Sequence, residues 1–286
     1  MSEVLNIAEA LRSGREILAE AEITEPRREA NSLLGLALQK NQTFLIAHPE
    51  YELSTAEETT FREYVQRRAG REPLQHIAGR QEFYGLEFIV TPDVLIPRPE
   101  TELLAETAVK LFRDSENVFF CEVGVGSGCI SVALLYELKT ARAISLDISA
   151  KALDIAEQNA VKNNVADRLE LGVSDVFSAL DKKQVFDLII SNPPYVPAED
   201  VKGLQAEVRD HDPLIALTDG KNGLSIIEKL IIESPQYLKP GGYLLIEIGF
   251  NQSFAAREMV DLNVWRALDI LPDLQGIPRM VKLQMK

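Results

Sequence analysis

A strongly apolar run, Val118-Phe119-Phe120-Cys121-Glu122-Val123, passes without a spacer into Gly124-Val125-Gly126-Ser127-Gly128, and these glycines give way at once to Ile130-Ser131-Val132-Ala133-Leu134-Leu135. A buried strand that turns straight into a helix is the opening unit of a parallel α/β sheet. Glycine permits the tight turn there and lets another molecule come close to the main chain. The alternation continues downstream: helix 128–138, strand 142–147, helix 150–161, strands 168–172 and 185–191, helix 223–238 and strand 242–248. This order predicts an α/β fold, a doubly wound and mostly parallel sheet with helices on both faces. Two further β-type runs, 264–270 and 279–285, are expected to pair as an antiparallel edge.

A chain of 286 residues is long for one compact core, so a second domain is expected upstream. Residues 1–80 carry apolar side chains at helical spacing, Ala8, Leu11, Ile17, Leu18 and again Ala30, Leu33, Leu34, Leu36, and read as a helical bundle. Ser54-Thr55-Ala56-Glu57 has the form of a capping box that starts its last long helix. Residues 81–97 read as a β-hairpin linker, with Phe83-Tyr84 and Phe88-Ile89-Val90 separated by Gly85-Leu86-Glu87. The α/β domain then takes up 98–286, entered through the stiff segment Ile96-Pro97-Arg98-Pro99-Glu100-Thr101 and a helix ending near Phe112.

Composition removes several classes of function. No run of 18 apolar residues is present, and the first 30 residues have neither a signal-peptide core nor an Arg-rich transit pattern, so a cytoplasmic protein without membrane partners is expected. Cys121 and Cys129 have no histidine nearby and read as buried, inert thiols, with no metal site. A formal charge of −14 repels phosphates, which argues against direct binding of nucleic acid and favours a protein or small molecule as partner. One local exception is the basic set Arg62, Arg67, Arg68, Arg71 and Arg80, which reads either as a docking patch for an acidic partner or as a solvated helix face.

The loop is G-x-G-x-G, whereas a nicotinamide fingerprint requires glycine at the position held by Cys129. Asp147 closes the next strand, where a carboxylate can accept hydrogen bonds from both ribose hydroxyls; Asp175 and Val176 close the third, suited to an adenine amino group and ring face. A cofactor containing adenosine fits all three. The most specific element is the buried run Leu188-Ile189-Ile190-Ser191 ending in Asn192-Pro193-Pro194-Tyr195. Two prolines stiffen this loop and remove two backbone donors. The Asn192 Oδ1 and the Pro193 carbonyl can then hold an NH2 group as acceptors, while Tyr195 packs against a planar amide and excludes water. An amide nitrogen is a poor nucleophile because its lone pair is delocalised, so the protein's share of its methylation is orientation and desolvation.

The loop, Asp147 and the Asn-Pro-Pro-Tyr motif together resemble class I S-adenosylmethionine (AdoMet)-dependent methyltransferases that modify amino groups on planar systems. Arg71-Glu72-Pro73-Leu74-Gln75-His76-Ile77, Phe83-Tyr84-Gly85-Leu86-Glu87-Phe88 and Val94-Leu95-Ile96-Pro97-Arg98-Pro99-Glu100-Thr101-Glu102 narrow this. They are similar to the release factor glutamine methyltransferase family, and the similarity runs from Glu25 to Arg279. It implies a Rossmann-like catalytic domain that uses AdoMet, yields S-adenosylhomocysteine, and methylates the glutamine of the Gly-Gly-Gln motif of peptide-chain release factors. It further implies an N-terminal helical domain that grips the release factor, in a protein expected to act as a monomer. The implied cofactor contacts are Glu122, Gly124, Val125, Gly126, Ser127, Gly128, Asp147, Asp175, Val176 and Asn192; the implied glutamine contacts are Asn192, Pro193, Pro194 and Tyr195. Two positions depart from the family, His76 where tyrosine is common and Val176 where some members have tryptophan. A glutamine methyltransferase of a ribosomal protein, an adenine-directed nucleic-acid methyltransferase and a non-catalytic module of the same fold are the alternatives. Pro99-Glu100-Thr101, the acidic charge and the intact loops argue respectively against them.

Overall fold

The computed structural model describes residues 5–182 and 185–286. The chain divides into two compact units, one reaching to Gly79 and including Gln205–His211, the other formed by Arg80–Leu204 and Asp212–Lys286.

The first unit is built from helices Ile7–Glu20, Pro26–Leu38, Gln42–Ala47, Thr55–Ala69 and Leu74–Ala78. Its start signals are local. Ser54 and Glu57 form the expected capping box, and Asn6 with Glu9 forms a second one of the same spacing, the Glu9 amide donating to Asn6 Oδ1 at 2.9 Å. Leu18, Leu33, Leu34, Phe61 and Val65 fill the core between the helices, and His76 is buried in the last of them.

The basic set does not form an open docking patch. Arg62 pairs with Glu58, Arg67 with Glu72 at 2.6 Å, and Arg80 with Glu87 at 3.2 Å. Arg68 is buried and bonds to Glu29 on the second helix and to Glu207 at 3.0 Å, while Arg71 reaches the same Glu207 at 3.3 Å. The cause is a guanidinium fork matched to carboxylates, which neutralises the charge inside the unit. Glu207 lies 139 positions from Arg68, on the short helix Ala206–Arg209, and so brings Gln205–His211 into this unit.

The second unit opens with β1 (Arg80–Phe83) and β2 (Leu86–Ile89), which pair antiparallel. Their turn is Tyr84-Gly85, with φ of 51° and 73°, rather than the three residues Gly85-Leu86-Glu87. Two left-handed residues give the turn whose twist matches that of the flanking strands, and this draws Leu86 and Glu87 into β2. The hairpin belongs to this second unit and is fastened by Asn159, whose Oδ1 accepts from the Ile89 amide at 2.7 Å and whose Nδ2 donates to the Ile89 carbonyl at 2.9 Å.

The main sheet contains β3 (Phe119–Val123), β4 (Arg142–Asp147), β5 (Leu169–Val173), β6 (Phe186–Ser191), β7 (Leu238–Glu247), β8 (Trp265–Pro272) and β9 (Pro278–Met285). Its order is β5-β4-β3-β6-β7-β9-β8, parallel through β7, with β9 antiparallel to both of its neighbours. This is the doubly wound, mostly parallel sheet with an antiparallel edge that the alternation predicts. Helix Cys129–Glu137 is buried along nearly its whole length between the sheet and its neighbours, and Ala150–Lys162 packs beside it with Ala152, Ile155 and Ala156 turned inward. The helix expected over 223–238 is shorter, Ser225–Glu233, because Pro235 turns the next residues into a 3₁₀ segment and lets β7 begin at Leu238. Among the described residues no helix is long and apolar enough to cross a membrane.

Removing the Arg68 side chain would leave Glu29 without its cation and Glu207 with Arg71 alone. Arg68→Ala is therefore expected to destabilise the folded chain by about 3 kcal/mol, read as a lower urea midpoint; an unshifted midpoint would show that this network contributes nothing.

Candidate active site

Because β3, β4, β5 and β6 run parallel, their carboxyl ends share one edge, and the segments leaving them surround a cavity of about 530 Å³. That size suits a small-molecule ligand. Of the residues singled out in the sequence, Glu122, Gly124, Val125, Gly126, Ser127, Asp147, Asp175, Val176, Asn192 and Pro194 line the cavity. Gly128, Pro193 and Tyr195 are not part of the lining.

The glycine loop is pinned to β4, the amides of Gly124 and Val125 both donating to the Leu146 carbonyl at 2.8 and 3.0 Å. Gly128 has φ of 81° and packs against helix Ala150–Lys162, where an added Cβ would come within 3.1 Å of the Ala156 Cβ. Its role in the loop is therefore close packing behind the cavity. Asn159 completes the loop's support, donating through Nδ2 to the Ser127 carbonyl at 2.9 Å.

Asp147 ends β4 with each carboxylate oxygen already holding one amide, Gly126 N to Oδ2 and Ser149 N to Oδ1, both at 2.9 Å. These bonds fix the carboxylate while each oxygen keeps further acceptor capacity toward the cavity. Burial pushes the Asp147 carboxyl above its usual range, and the amide bonds oppose that shift. Glu122, only 1% exposed, is held at Oε2 by the Ser131 amide at 2.9 Å and by the Ser131 hydroxyl, which also meets the Ser145 hydroxyl at 2.6 Å. Burial pushes Glu122 up to about 8.

The segment after β5 divides by side chain. Asp175 is exposed and accepts from Lys229 at 3.1 Å, whereas Val176 is buried with φ of 52°. That conformation is strained for a β-branched residue, and such strain gathers where a site imposes it. The Ser174 hydroxyl holds the turn by donating to the Val176 carbonyl at 2.8 Å.

Asn192 leaves β6 with its Nδ2 donating to Thr101 Oγ1 at 3.0 Å. Tyr195 turns away from the cavity, donates its hydroxyl to Glu247 Oε1 at 3.0 Å and packs its ring against the core beside β7, so it braces the loop from behind. The Tyr195 carbonyl accepts from Gln252 Nε2 at 2.9 Å, and the Gln252 Oε1 accepts from Gly249 N at 2.8 Å. Gly223 passes so close that a Cβ there would fall 2.1 Å from the Tyr195 carbonyl oxygen, and no other residue fits. Arg98 lines the cavity near the same loop and is held by the buried Asp212 at 2.5 Å.

Thr101, Asp212, Gly223, Glu247 and Gln252 are thus the supporting residues that sequence reasoning did not assign. Thr101 stands inside a motif that carried the family resemblance, and that was the available signal; Gln252 and Asp212 offered none. Ionised carboxylates outnumber cations around the cavity, with Asp93, Asp147, Asp175 and Asp219 facing Arg98, Lys221 and Lys229, which favours a ligand with positive charge. Among the described residues no group of three or more histidine, cysteine, aspartate or glutamate side chains is arranged to hold a metal ion.

Residues 9–79 match the family model described as the PrmC N-terminal domain, and residues 99–208 match the one described as the methyltransferase small domain. The release factor glutamine methyltransferase of Koribacter versatilis is 38% identical over 277 residues, covering 97% of this chain and 98% of the relative. The protein of the same description from Geobacter sulfurreducens is 38% identical over 279 residues, covering 98% and 96%. Among solved structures, a methyltransferase from Pyrococcus furiosus superposes with a TM-score of 0.53 at 17% identity, over 77% of this chain and 96% of that one, a likeness of fold.

Folded Glu122 keeps its proton to about pH 8, whereas the unfolded chain loses it near the ordinary value of 4.5. Between those values the unfolded state binds fewer protons, so the contribution of Glu122 to stability falls as pH rises. Glu122→Gln is expected to flatten this dependence, which urea unfolding at about pH 5 and about pH 8 measures; an unchanged slope would place the titration elsewhere.

Proposed function

The chain belongs to the release factor glutamine methyltransferase family, and on that premise we propose that it transfers the methyl group of AdoMet to the side-chain amide nitrogen of the glutamine in the Gly-Gly-Gln motif of release factors. The observation that carries this reading is the fixed Asn192 side chain on the rim of the cavity that the glycine loop and Asp147 enclose. The residues present fit the cofactor: Asp147 has acceptor capacity for a ribose diol, Val176 offers an apolar wall, and the acidic lining suits a cation. When bound, AdoMet supplies a methyl group made electrophilic by its sulfonium.

The work left to the protein is to orient a weak nucleophile. With Nδ2 committed to Thr101, Asn192 presents Oδ1 as the acceptor for one glutamine N–H, and the Pro193 carbonyl is assigned the other. Two acceptors on one NH2 group fix its plane, and this converts an encounter into an aligned pair. Pro194 in the lining and Tyr195 behind it keep the loop from relaxing when the substrate enters. The helical unit is assigned the binding of the release factor body. Arg62, Arg67, Arg68 and Arg71 serve ion pairs within the unit, so that binding is read as resting on shape and apolar contact rather than on this basic set.

Mass spectrometry of a release factor after incubation with the protein and AdoMet is expected to show one methyl group on the Gly-Gly-Gln glutamine, with a ribosomal protein as the comparison substrate; methylation of the latter alone would overturn the assignment. Asp147→Ala is expected to weaken AdoMet binding by about 1.5 to 3 kcal/mol through loss of two charge-assisted hydrogen bonds. Calorimetry checks this, and parental affinity would remove Asp147 from the ribose site. Asn192→Ala is expected to slow single-turnover methyl transfer on the order of 100-fold, with the fold intact by circular dichroism; a parental rate would exclude orientation by this side chain.

A further inference from the structure

We infer that Thr101 and Glu247 are positioning residues that determine which end of the Asn192 amide faces the methyl-transfer site, an inference that rests on the role given to Asn192 above. The two ends of an asparagine amide have nearly the same shape and opposite hydrogen-bonding character. Turned one way Asn192 offers an acceptor to an incoming NH2 group; turned the other way it offers donors that repel it. The strand β6 and the two prolines fix where this side chain sits, yet nothing in their backbone decides how it is turned.

The decision falls to Thr101. Its Oγ1 receives Asn192 Nδ2 at 3.0 Å, but a hydroxyl both donates and accepts, so by itself it would satisfy either orientation. Thr101 is 2% exposed and has no solvent to set its polarity. The group that sets it is Glu247, 3% exposed at the end of β7. Its Oε1 accepts from the Tyr195 hydroxyl at 3.0 Å; its Oε2 is buried with no hydrogen-bond partner among the described residues, an acceptor left open. The Thr101 hydroxyl is the neighbouring side-chain donor whose influence favours the ionised form of this carboxylate. An ionised carboxylate can only accept. It therefore takes the Thr101 proton into its own hydrogen bond, leaves the Oγ1 lone pairs for Asn192 Nδ2, and turns Oδ1 outward. The same carboxylate anchors Tyr195, so the two ends of the Asn-Pro-Pro-Tyr loop are governed by one buried charge.

Protonation would undo this, because a carboxylic acid can donate to Thr101 and release the hydroxyl to point at Asn192. Burial pushes Glu247 up to about 7; the hydroxyls of Thr101 and Tyr195 and the charge of Arg279 oppose that rise, and Glu100 adds to it. The orienting carboxylate thus changes state close to neutrality.

The test is single-turnover methyl transfer to a release factor by the full chain at saturating AdoMet, with release factor concentration and pH varied. Thr101→Val, which keeps shape and removes the hydroxyl, and Glu247→Gln, whose amide can donate, are each expected to lower the maximal rate by tenfold to on the order of 100-fold. Half-saturating release factor should change by less than about threefold, since orientation rather than docking is lost. Thr101→Ser should restore the rate to within about threefold of the parent. The parent rate should rise with pH through about 7, and this limb should vanish in Glu247→Gln. Parental rates in Thr101→Val, a Thr101→Ser as slow as Thr101→Val, or a pH limb that survives Glu247→Gln would each overturn the inference while leaving the proposed function standing. A parent chain that methylates no release factor would overturn the function and the inference together.

Discussion

The glycine loop, Asp147 and Asn192 are brought together by the parallel hydrogen-bond ladder around β3. Val123 pairs with Leu146 on one side and with Ser191 on the other, so Gly124, Asp147 and Asn192 leave the sheet at one level although they are far apart in the chain. After β3 the chain builds outward through β4 and β5, then returns to build β6 and β7 on the opposite side. That reversal leaves the ends of β3 and β6 without a crossover above them, and an open α/β sheet receives its ligand there. A slip of one residue in β6 would send Asn192 to the other face of the sheet, away from the cavity.

The site also concentrates what the rest of the fold avoids. Glu122 and Glu247 are carboxylates in the core, neither in a salt bridge among the described residues, each beside hydroxyl groups and each pushed toward neutral pH by burial. Val176 carries left-handed backbone angles that its branched side chain disfavours. Gly223 admits the Tyr195 backbone at a distance that no side chain would allow, and Gly249 lets the Tyr195 ring pack closely. By contrast, the helical unit spends its charges in complementary pairs, with Arg68 between two glutamates. Stability is sought in one unit and conceded in part of the other, as expected where a surface must be ready for another molecule.

What could be read from the sequence follows the range of the forces involved. Strand and helix order, the glycine turn and the Ser54–Glu57 capping box depend on neighbours within a few residues, and each is found near its expected place. The hairpin turn is Tyr84-Gly85 rather than the three residues 85–87, because Tyr84 shares the left-handed angles of Gly85 without glycine's sequence signal. Cooperation between distant residues left no trace. Arg68 and Glu207, or Tyr195 and Glu247, are ordinary charged and aromatic residues until the fold brings them together. Tyr195 is the instructive case, since its motif marks a loop that borders the cavity while its ring supports that loop from the side away from it.

Asn159 has a consequence that reaches beyond its own helix. One fully buried amide holds both strand β2 of the hairpin, through the amide and carbonyl of Ile89, and the glycine loop, through the carbonyl of Ser127. Neither partner can swing open without leaving the asparagine with a buried, unsatisfied polar atom, and so the two segments fluctuate as one cooperative element. A molecule settling against the glycine loop therefore quiets β2 as well, and slows amide exchange at residues that lie outside the cavity altogether.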